Sequence, residues 1–230
     1  NTREAIWDAM QRKETFATSG PMIKLRFFAS WEMDAGALTQ PDFVKQAYEG
    51  GVPMGSDLRP SADAGRAPTF FVTAIKDPKS GNLDRVQIVK GWLDAKGLQH
   101  ERVYDVTWSG DRKPGADGKL PPVGNTVDVE RATWTNTIGA PELSTTWTDP
   151  DFDARQPAVY YARVIEIPTP RWTAYEALRY GVKMSADVPM TTKKRCSAKY
   201  ESIGAPSRRR IAGTWASTSA SVVCQSTSGN

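Results

Sequence analysis

Two segments rich in β-branched and aromatic residues, TFFVTAIK (residues 69–76) and LDRVQIVKGW (residues 83–92), decide the fold class of this chain. Residues of these types favour extended backbone, because their side chains pack well on a pleated sheet. Between the two segments lies DPKSGN (residues 77–82), which is rich in turn-forming residues. The pattern predicts two strands joined as a β-hairpin.

Alternating apolar residues predict further strands on both sides of this pair. These strands cover residues 22–31, 102–108, 128–136, 142–148 and 158–167. In the last of them, the odd-numbered apolar residues Val159, Tyr161, Ile165 and Ile167 mark one face. A mainly β chain of this kind predicts an antiparallel, β-sandwich-like domain.

A helix is predicted at the start of the chain. Asn1 and Glu4 have the spacing of a capping box, in which two side chains satisfy the free backbone amides of the first helical turn. Ile6 and Met10 then continue an apolar stripe along one face, which must cover another surface. Because the sequence opens directly on this helix, we expect the chain to be a fragment that begins within a fold.

A second, short helix is predicted near residue 175. It is expected to begin at Thr169, followed by Pro170, and to end at Gly181, a residue that accepts the left-handed conformation of a helix terminus. Trp172, Tyr175 and Leu178 lie on one face of this helix, and we expect them to point inward.

These patterns divide the chain into three parts. Residues 1–21 form a helix and a turn, residues 22–190 form the β-rich domain, and residues 191–230 are expected to be a poorly ordered basic tail. The net charge is +4. Since eight lysines and arginines lie from Lys183 onward, against Asp187 and Glu201, the positive charge is concentrated near the C-terminus. We interpret it as a solvated tail and do not predict nucleic-acid binding.

The composition excludes several kinds of site. His100 is the only histidine, so neither a Ser-His-Asp triad nor a zinc site with several imidazoles can be assembled. Only Cys196 and Cys224 occur, so the β-rich domain needs no disulfide, and the compartment stays open. No apolar run reaches the roughly 18 residues of a membrane helix, and we predict no membrane partner.

Asp149, Asp151 and Asp153 are the candidates for metal binding. Every second carboxylate can turn toward one hard cation, as in the first positions of a calcium loop. Ala154 stands where such a loop needs glycine, and Tyr160 stands where it needs glutamate. An acidic turn between strands is therefore the favoured interpretation.

The chain contains eight tryptophans, which have two interpretations. They can pack in the core and at its rim, as their alternation with apolar neighbours suggests. Alternatively, exposed rings can form a platform on which a non-catalytic β-sandwich module binds a glycan or another protein.

Several motifs together resemble a family numbered 3604 among the domains of unknown function. The motifs are NTREA (1–5), FATSGP (16–21), GVPMG (51–55), GNLDR (81–85), QIVKGW (87–92), WTNTIGAPEL (134–143), WTDPDFD (147–153) and IPTPRWTAY (167–175). The resemblance covers about residues 1–190. Beyond about Thr192 it stops, and we expect the remaining residues to be a frameshifted or foreign extension.

The resemblance implies a role for the chain. Members of the family carry an upstream domain resembling the polymerase-and-histidinol-phosphatase (PHP) metallohydrolases, in which histidines and aspartates bind divalent zinc, manganese or iron. The partners implied are that upstream domain of the same chain and a small-molecule ester or phosphoester substrate. For the parent protein an exported or periplasmic location is favoured over the cytoplasm.

Thr18, Ser19 and Gly20 are the residues that we expect to come nearest to the pocket of the parent enzyme. They follow the helix that connects the two parts of the protein, although a purely structural turn is the favoured interpretation. The chain itself holds no cofactor in this interpretation, and it is expected to be inactive alone.

Overall fold

Antiparallel pairing of long strands organises the chain, as its β-branched and aromatic segments predict. The computed structural model describes residues 2–61, 66–199 and 201–203. Its helices are α1 (Arg3–Gln11), α2 (Phe43–Gly50), α3 (Trp172–Tyr180) and a short 3₁₀ helix (Ala35–Thr39). No helix within this part is both long and apolar enough to cross a membrane.

The described strands are β1 (Phe16–Thr18), β2 (Lys24–Ser30), β3 (Val52–Pro53), β4 (Asp57–Leu58), β5 (Thr69–Ile75), β6 (Leu83–Leu93), β7 (Gln99–Trp108), β8 (Val127–Asp128), β9 (Thr133–Trp134), β10 (Glu142–Thr148), β11 (Ala158–Glu166), β12 (Thr169–Pro170), β13 (Thr191–Thr192), β14 (Arg195–Lys199) and β15 (Glu201–Ile203). The larger sheet has the order β1-β14-β11-β6-β7, with β15 and β4 added beside the start of β11. The smaller sheet has the order β10-β5-β2-β3. Among the described strands of the larger sheet, only β15 and β4 pair in parallel.

The core lies between these two sheets. Ile23, Leu25 and Phe27 of the β2 region are all buried, as their alternation predicts. Phe27 stacks on Phe70 of β5, and Phe70 in turn contacts the ring of Tyr160 from β11 at 4.6 Å between centroids. The chain is therefore mainly antiparallel sheet with apolar faces packed together, in agreement with the predicted fold class.

The predicted hairpin of residues 69–92 is wrong. β5 pairs with β2 and β10 in the smaller sheet, whereas β6 pairs with β7 and β11 in the larger one. Residues 76–82 therefore carry the chain from one sheet to the other. Local turn signals identify where a strand ends, but the partner of each strand depends on long-range pairing that the turn does not encode.

The buried face of β11 is not the face marked by Val159, Tyr161 and Ile165. The even-numbered residues Ala158, Tyr160, Ala162 and Val164 are buried, while the odd-numbered ones are partly exposed. Both sets contain apolar and aromatic side chains, so the alternation alone was ambiguous. Ile167, which follows the end of β11, is buried as well.

Helix α3 ends as predicted but faces the other way. Gly181 adopts the left-handed conformation at its C-terminus, with φ of 63°. Trp172, Tyr175 and Leu178 are exposed rather than inward, Trp172 to 59%. Only the small residues Thr173 and Ala174 of the helix are buried, which allows its backbone to approach the neighbouring segment, and the Thr173 hydroxyl donates to Pro189 O at 2.6 Å.

The predicted stripe on α1 is present but uncovered. The helix begins after Thr2, whose Oγ1 accepts a hydrogen bond from the amide of Ala5 at 3.2 Å, while Asn1 lies outside the described residues. No residue of α1 is buried, and Ile6, Trp7 and Met10 are 57%, 60% and 57% exposed. The helix thus presents its apolar face to solvent.

The predicted start of the poorly ordered tail at residue 191 is wrong. β14 lies between β1 and β11 in the larger sheet, and Cys196 at its centre is fully buried. The Lys-rich composition of this stretch gave no strand signal, because its pairing comes from neighbours on both sides. The remaining part of the predicted tail, from residue 204, lies outside the described residues.

Candidate functional site

The turn that follows β1 contains the predicted residues Thr18, Ser19 and Gly20. Thr18 ends β1 opposite Cys196, and the Ser19 hydroxyl accepts a hydrogen bond from the amide of Arg195 at 2.8 Å. The Ser19 amide donates to Arg195 O at 3.0 Å. Gly20 is exposed, with φ of 116°. Ser19 therefore anchors the turn to the start of β14, and its hydroxyl is engaged by backbone rather than by a general base.

Several loops meet at the same end of the sandwich, and we refer to residues 76–82, 135–140, 166–170 and 193–195 together as the loop end. The Ser80 hydroxyl donates to Glu166 Oε2 at 2.9 Å. The Glu166 amide donates to Lys194 O at 3.0 Å, and the Ile167 amide donates to Asn82 O at 2.9 Å. Side-chain and backbone hydrogen bonds thus connect these loops to one another, and Ser19 joins them through its bonds to Arg195.

Two asparagines fix the relative positions of the first two loops. The Asn82 amide donates to Asn136 Oδ1 at 2.8 Å, and the Asn82 side chain donates to Ile138 O at 3.0 Å. Gly139 has φ of 77° and lies so close to Asn82 that an added Cβ would come within 2.6 Å of the Asn82 Cβ. Glycine is required here both for its conformation and for this close approach.

Glu166 is the unusual group of the loop end. Its side chain is fully buried, Oε2 has the Ser80 hydroxyl as donor, and Oε1 has no hydrogen-bond partner. Burial raises the pKa of Glu166 to about 7, against the opposing effects of the Ser80 hydrogen bond and the charge of Lys194. A buried carboxyl that titrates near neutral pH is a common feature of functional sites.

The three predicted metal ligands lie at the other end of β11 and bind cations of the protein itself. Asp149 is buried and accepts hydrogen bonds from Lys90 Nζ at 2.5 Å and from the Tyr160 hydroxyl at 2.6 Å. Lys90 also donates to Asp151 O at 2.7 Å. Asp153 pairs with Arg155 on the surface.

The carboxylate of Asp151 is engaged in the same way, by Arg102 and by the Tyr104 hydroxyl at 2.6 Å each. Burial, followed by the hydrogen bonds to these carboxylates, raises the pKa of Tyr104 and of Tyr160 well above the usual value. Among the described residues, no group of three or more His, Cys, Asp or Glu side chains is placed to hold a metal ion. The geometry of Asp149 and Asp151 fits an acidic turn that neutralises Lys90 and Arg102.

A family model described as "Protein of unknown function (DUF3604)" matches residues 1–200. The chain belongs to this family. The match extends through β14, beyond the predicted limit near Thr192, and ends before β15. No curated protein and no solved structure matches the chain.

His100 of this DUF3604 chain lies on the surface at the start of β7. Its Nε2 is 3.0 Å from Asp94 Oδ2, and its ring stacks on Trp92 with centroids 5.3 Å apart. The hydrogen bond from His100 is the main cause that lowers the pKa of Asp94. The histidine joins the two ends of the β6–β7 connection, and neither the geometry nor the partners suggest a catalytic role.

The tryptophans of the DUF3604 chain fall into two groups. Those of the sandwich and its loops are partly buried, for example Trp31, whose Nε1 donates to Arg59 O at 2.8 Å, and Trp108, whose Nε1 donates to Arg112 O at 2.7 Å. Trp7 on α1 and Trp172 on α3 are the two described tryptophans that are more than half exposed. Packing therefore accounts for most of these rings, and the exposed ones belong to helices.

Sequence reasoning missed the loop end for a specific reason. Glu166 continues the even-numbered series of β11 that points into the core, whereas the apolar pattern of the sequence marks the odd-numbered series. With the correct face, Glu166 would have stood out as a charged residue among buried ones. The Ser80 and Lys194 contacts are long-range and had no signal in the sequence.

Proposed function

We propose that this chain is the C-terminal accessory β-domain of a PHP-like metal-dependent hydrolase, and that α1 docks it on the metal-binding domain. The observation that carries the proposal is the uncovered apolar face of α1, in a chain of the DUF3604 family. Ile6, Trp7 and Met10 form this face.

The physical argument concerns the stability of α1. A helix of this length is marginal in water unless an apolar face is buried against another surface. Burying side chains of this size stabilises a structure by about 1.5–3 kcal/mol each. Since the domain leaves Ile6, Trp7 and Met10 exposed, a cover from a neighbouring domain would supply the missing stabilisation. Trp and Met are also enriched at protein interfaces.

The proposal assigns the metal centre to the other domain and the shaping of the pocket to this one. The metal-binding domain would contribute divalent zinc, manganese or iron, which activate water for attack on an ester or phosphoester. The described carboxylates of Asp149, Asp151 and Asp153 are engaged by lysine, arginine and tyrosine and do not fit such a centre. This domain would instead shape or cover the pocket, with Thr18, Ser19 and Gly20 as the segment nearest to it.

A second candidate is a non-catalytic module that binds a glycan or a protein. The exposed rings of Trp172 and Tyr175 on α3 favour it, because aromatic faces stack on sugar rings and anchor protein interfaces. Arg171 lies over the Trp172 ring at 5.9 Å from its centroid. The two candidates use different helices, so they can be separated by experiment.

Titration of residues 1–230 into a separately expressed metal-binding domain of the parent protein tests the proposal. We expect a one-to-one complex with a dissociation constant of roughly micromolar or below, measured by calorimetry. Under the same conditions, soluble oligosaccharides are expected to give no heat. Binding of an oligosaccharide together with failure to bind the metal-binding domain would favour the second candidate and contradict the first.

A further inference from the structure

The carboxyl of Glu166 lies where four parts of the loop end meet. The Ser80 hydroxyl, from the β5–β6 connection, donates a hydrogen bond to Oε2, and the Glu166 backbone amide donates one to Lys194 O. The neighbouring Ile167 amide donates to Asn82 O, and the Asn82 side chain donates to Ile138 O in the 135–140 loop. The Thr169 hydroxyl, three residues further on, is buried and without a hydrogen-bond partner, like Glu166 Oε1. Glu166 is thus bonded to two of these segments, to Ser80 through its carboxyl and to Lys194 through its backbone amide.

Few charged groups face this carboxyl. Lys76 and Asp77 from the loop after β5, and Lys194 from the segment before β14, are the charges that act on Glu166. The Lys76 ammonium is held at Ser80 O at 3.0 Å. Asp84, the buried carboxylate of the adjoining strand β6, has its own partners in Arg85, Arg112 and Lys193, and the 135–140 and 167–170 segments contain no charged side chain. None of the hydrogen bonds and ion pairs described for this region places a cation on Oε1.

We propose that Glu166 is a proton-operated latch, whose neutral carboxyl keeps the loop end closed and whose ionisation favours opening of the loop end. The neutral form suits the closed state, because an uncharged carboxyl can be buried with one donor at a moderate cost. The ionised form leaves a charged oxygen in a dry site without a donor, which is expensive. Opening exposes the carboxylate to water and removes that cost.

The direction of the pH dependence follows from the raised pKa. In the closed state Glu166 titrates near 7, whereas an exposed glutamate titrates near 4.5. The closed state therefore binds the proton more tightly. The resulting free-energy advantage of the closed state over the open state is complete below about pH 4.5 and is lost as the pH rises through 7. Between pH 5 and pH 8 the open population should rise by about ten- to a hundredfold.

Opening of the loop end would also weaken the contacts of the turn after β1. Ser19 is bound to the backbone of Arg195, directly after Lys194, so release of the segment before β14 loosens the anchor of Ser19. The latch does not depend on the function proposed above, since it concerns contacts within this chain. If that function is correct, the latch would couple pH to the segment nearest the pocket.

Amide hydrogen exchange of residues 1–230 between pH 5 and pH 8, corrected for the chemical exchange rate, tests the latch. In the wild-type chain we expect protection of the Glu166 and Ile167 amides to fall by about ten- to a hundredfold over this range. In Glu166→Gln, which keeps an acceptor for Ser80 without the charge, we expect protection to stay at the level that the wild type shows at pH 5.

The matched control is Glu142→Gln, because Glu142 is an exposed glutamate on β10. It should keep the wild-type pH dependence. Two results would overturn the latch: a flat profile for these amides in the wild type, which needs no variant, or an undiminished pH dependence in a folded Glu166→Gln chain.

Discussion

Replacing Asp149 by alanine is expected to lower the free energy of unfolding by about 3–5 kcal/mol. The Lys90 ammonium and the Asp149 carboxylate are both almost completely buried, and the Tyr160 hydroxyl donates to the same carboxylate oxygen. Removing the carboxylate leaves the Lys90 charge without its anionic partner in a site shielded from water, where Asp151 O and the rings of Trp92 and Tyr160 remain beside it. Urea denaturation at pH 7, followed by tryptophan fluorescence, measures the change.

Two controls isolate the buried ion pair. Asp153→Ala removes an aspartate of the same turn whose partner, Arg155, is exposed, and its effect should be much smaller than that of Asp149→Ala. Replacing both members of the pair, with Lys90→Met and Asp149→Leu, should restore most of the stability, because no unpaired charge remains. An effect of Asp149→Ala no larger than that of Asp153→Ala would show that Lys90 finds another partner.

The second large effect is expected at the docking surface. Trp7→Ala should weaken binding of residues 1–230 to the metal-binding domain by about 30- to 700-fold, which corresponds to about 2–4 kcal/mol for a tryptophan at the centre of an interface. The stability of the isolated domain should change by no more than about 0.5 kcal/mol, because Trp7 is mostly exposed there. Calorimetric titration and urea denaturation provide the two measurements.

Trp172→Ala is the matched control for this prediction. Trp172 is as exposed as Trp7 but lies on α3, which is separate from α1. The proposal predicts that this variant binds the metal-binding domain like the wild type. If Trp172→Ala abolished binding and Trp7→Ala did not, α3 rather than α1 would be the docking surface.

Local patterns predicted the elements of this chain better than their partners. The bounds of β10, Glu142–Thr148, and the end of α3 at Gly181 follow from alternation and from glycine geometry, which depend on a few neighbouring residues. The pairing of β5 and β6 was wrong, since it is decided by strands far away in the sequence. The strand β14 was missed for the same reason.

The faces of the elements were the second source of error. On β11 both faces carry apolar side chains, so alternation alone does not identify the even-numbered face, on which Glu166 is buried. On α3 the aromatic residues are predicted to point inward because they are apolar. The structure instead buries only Thr173 and Ala174 of this helix, whose small side chains let its backbone lie close to the neighbouring segment. The turn from Asp149 to Asp153 was correctly favoured as a turn, but its partner Lys90 could not be found from the sequence.

Metal content and turnover of two proteins test the central claim most directly. Residues 1–230 alone and the same residues joined to the metal-binding domain would be assayed for bound zinc, manganese and iron, and for hydrolysis of model phosphate, ester and carbamate substrates. The proposal predicts metal and turnover in the joined protein and neither in residues 1–230 alone. Stoichiometric metal with substrate hydrolysis by residues 1–230 alone would contradict it.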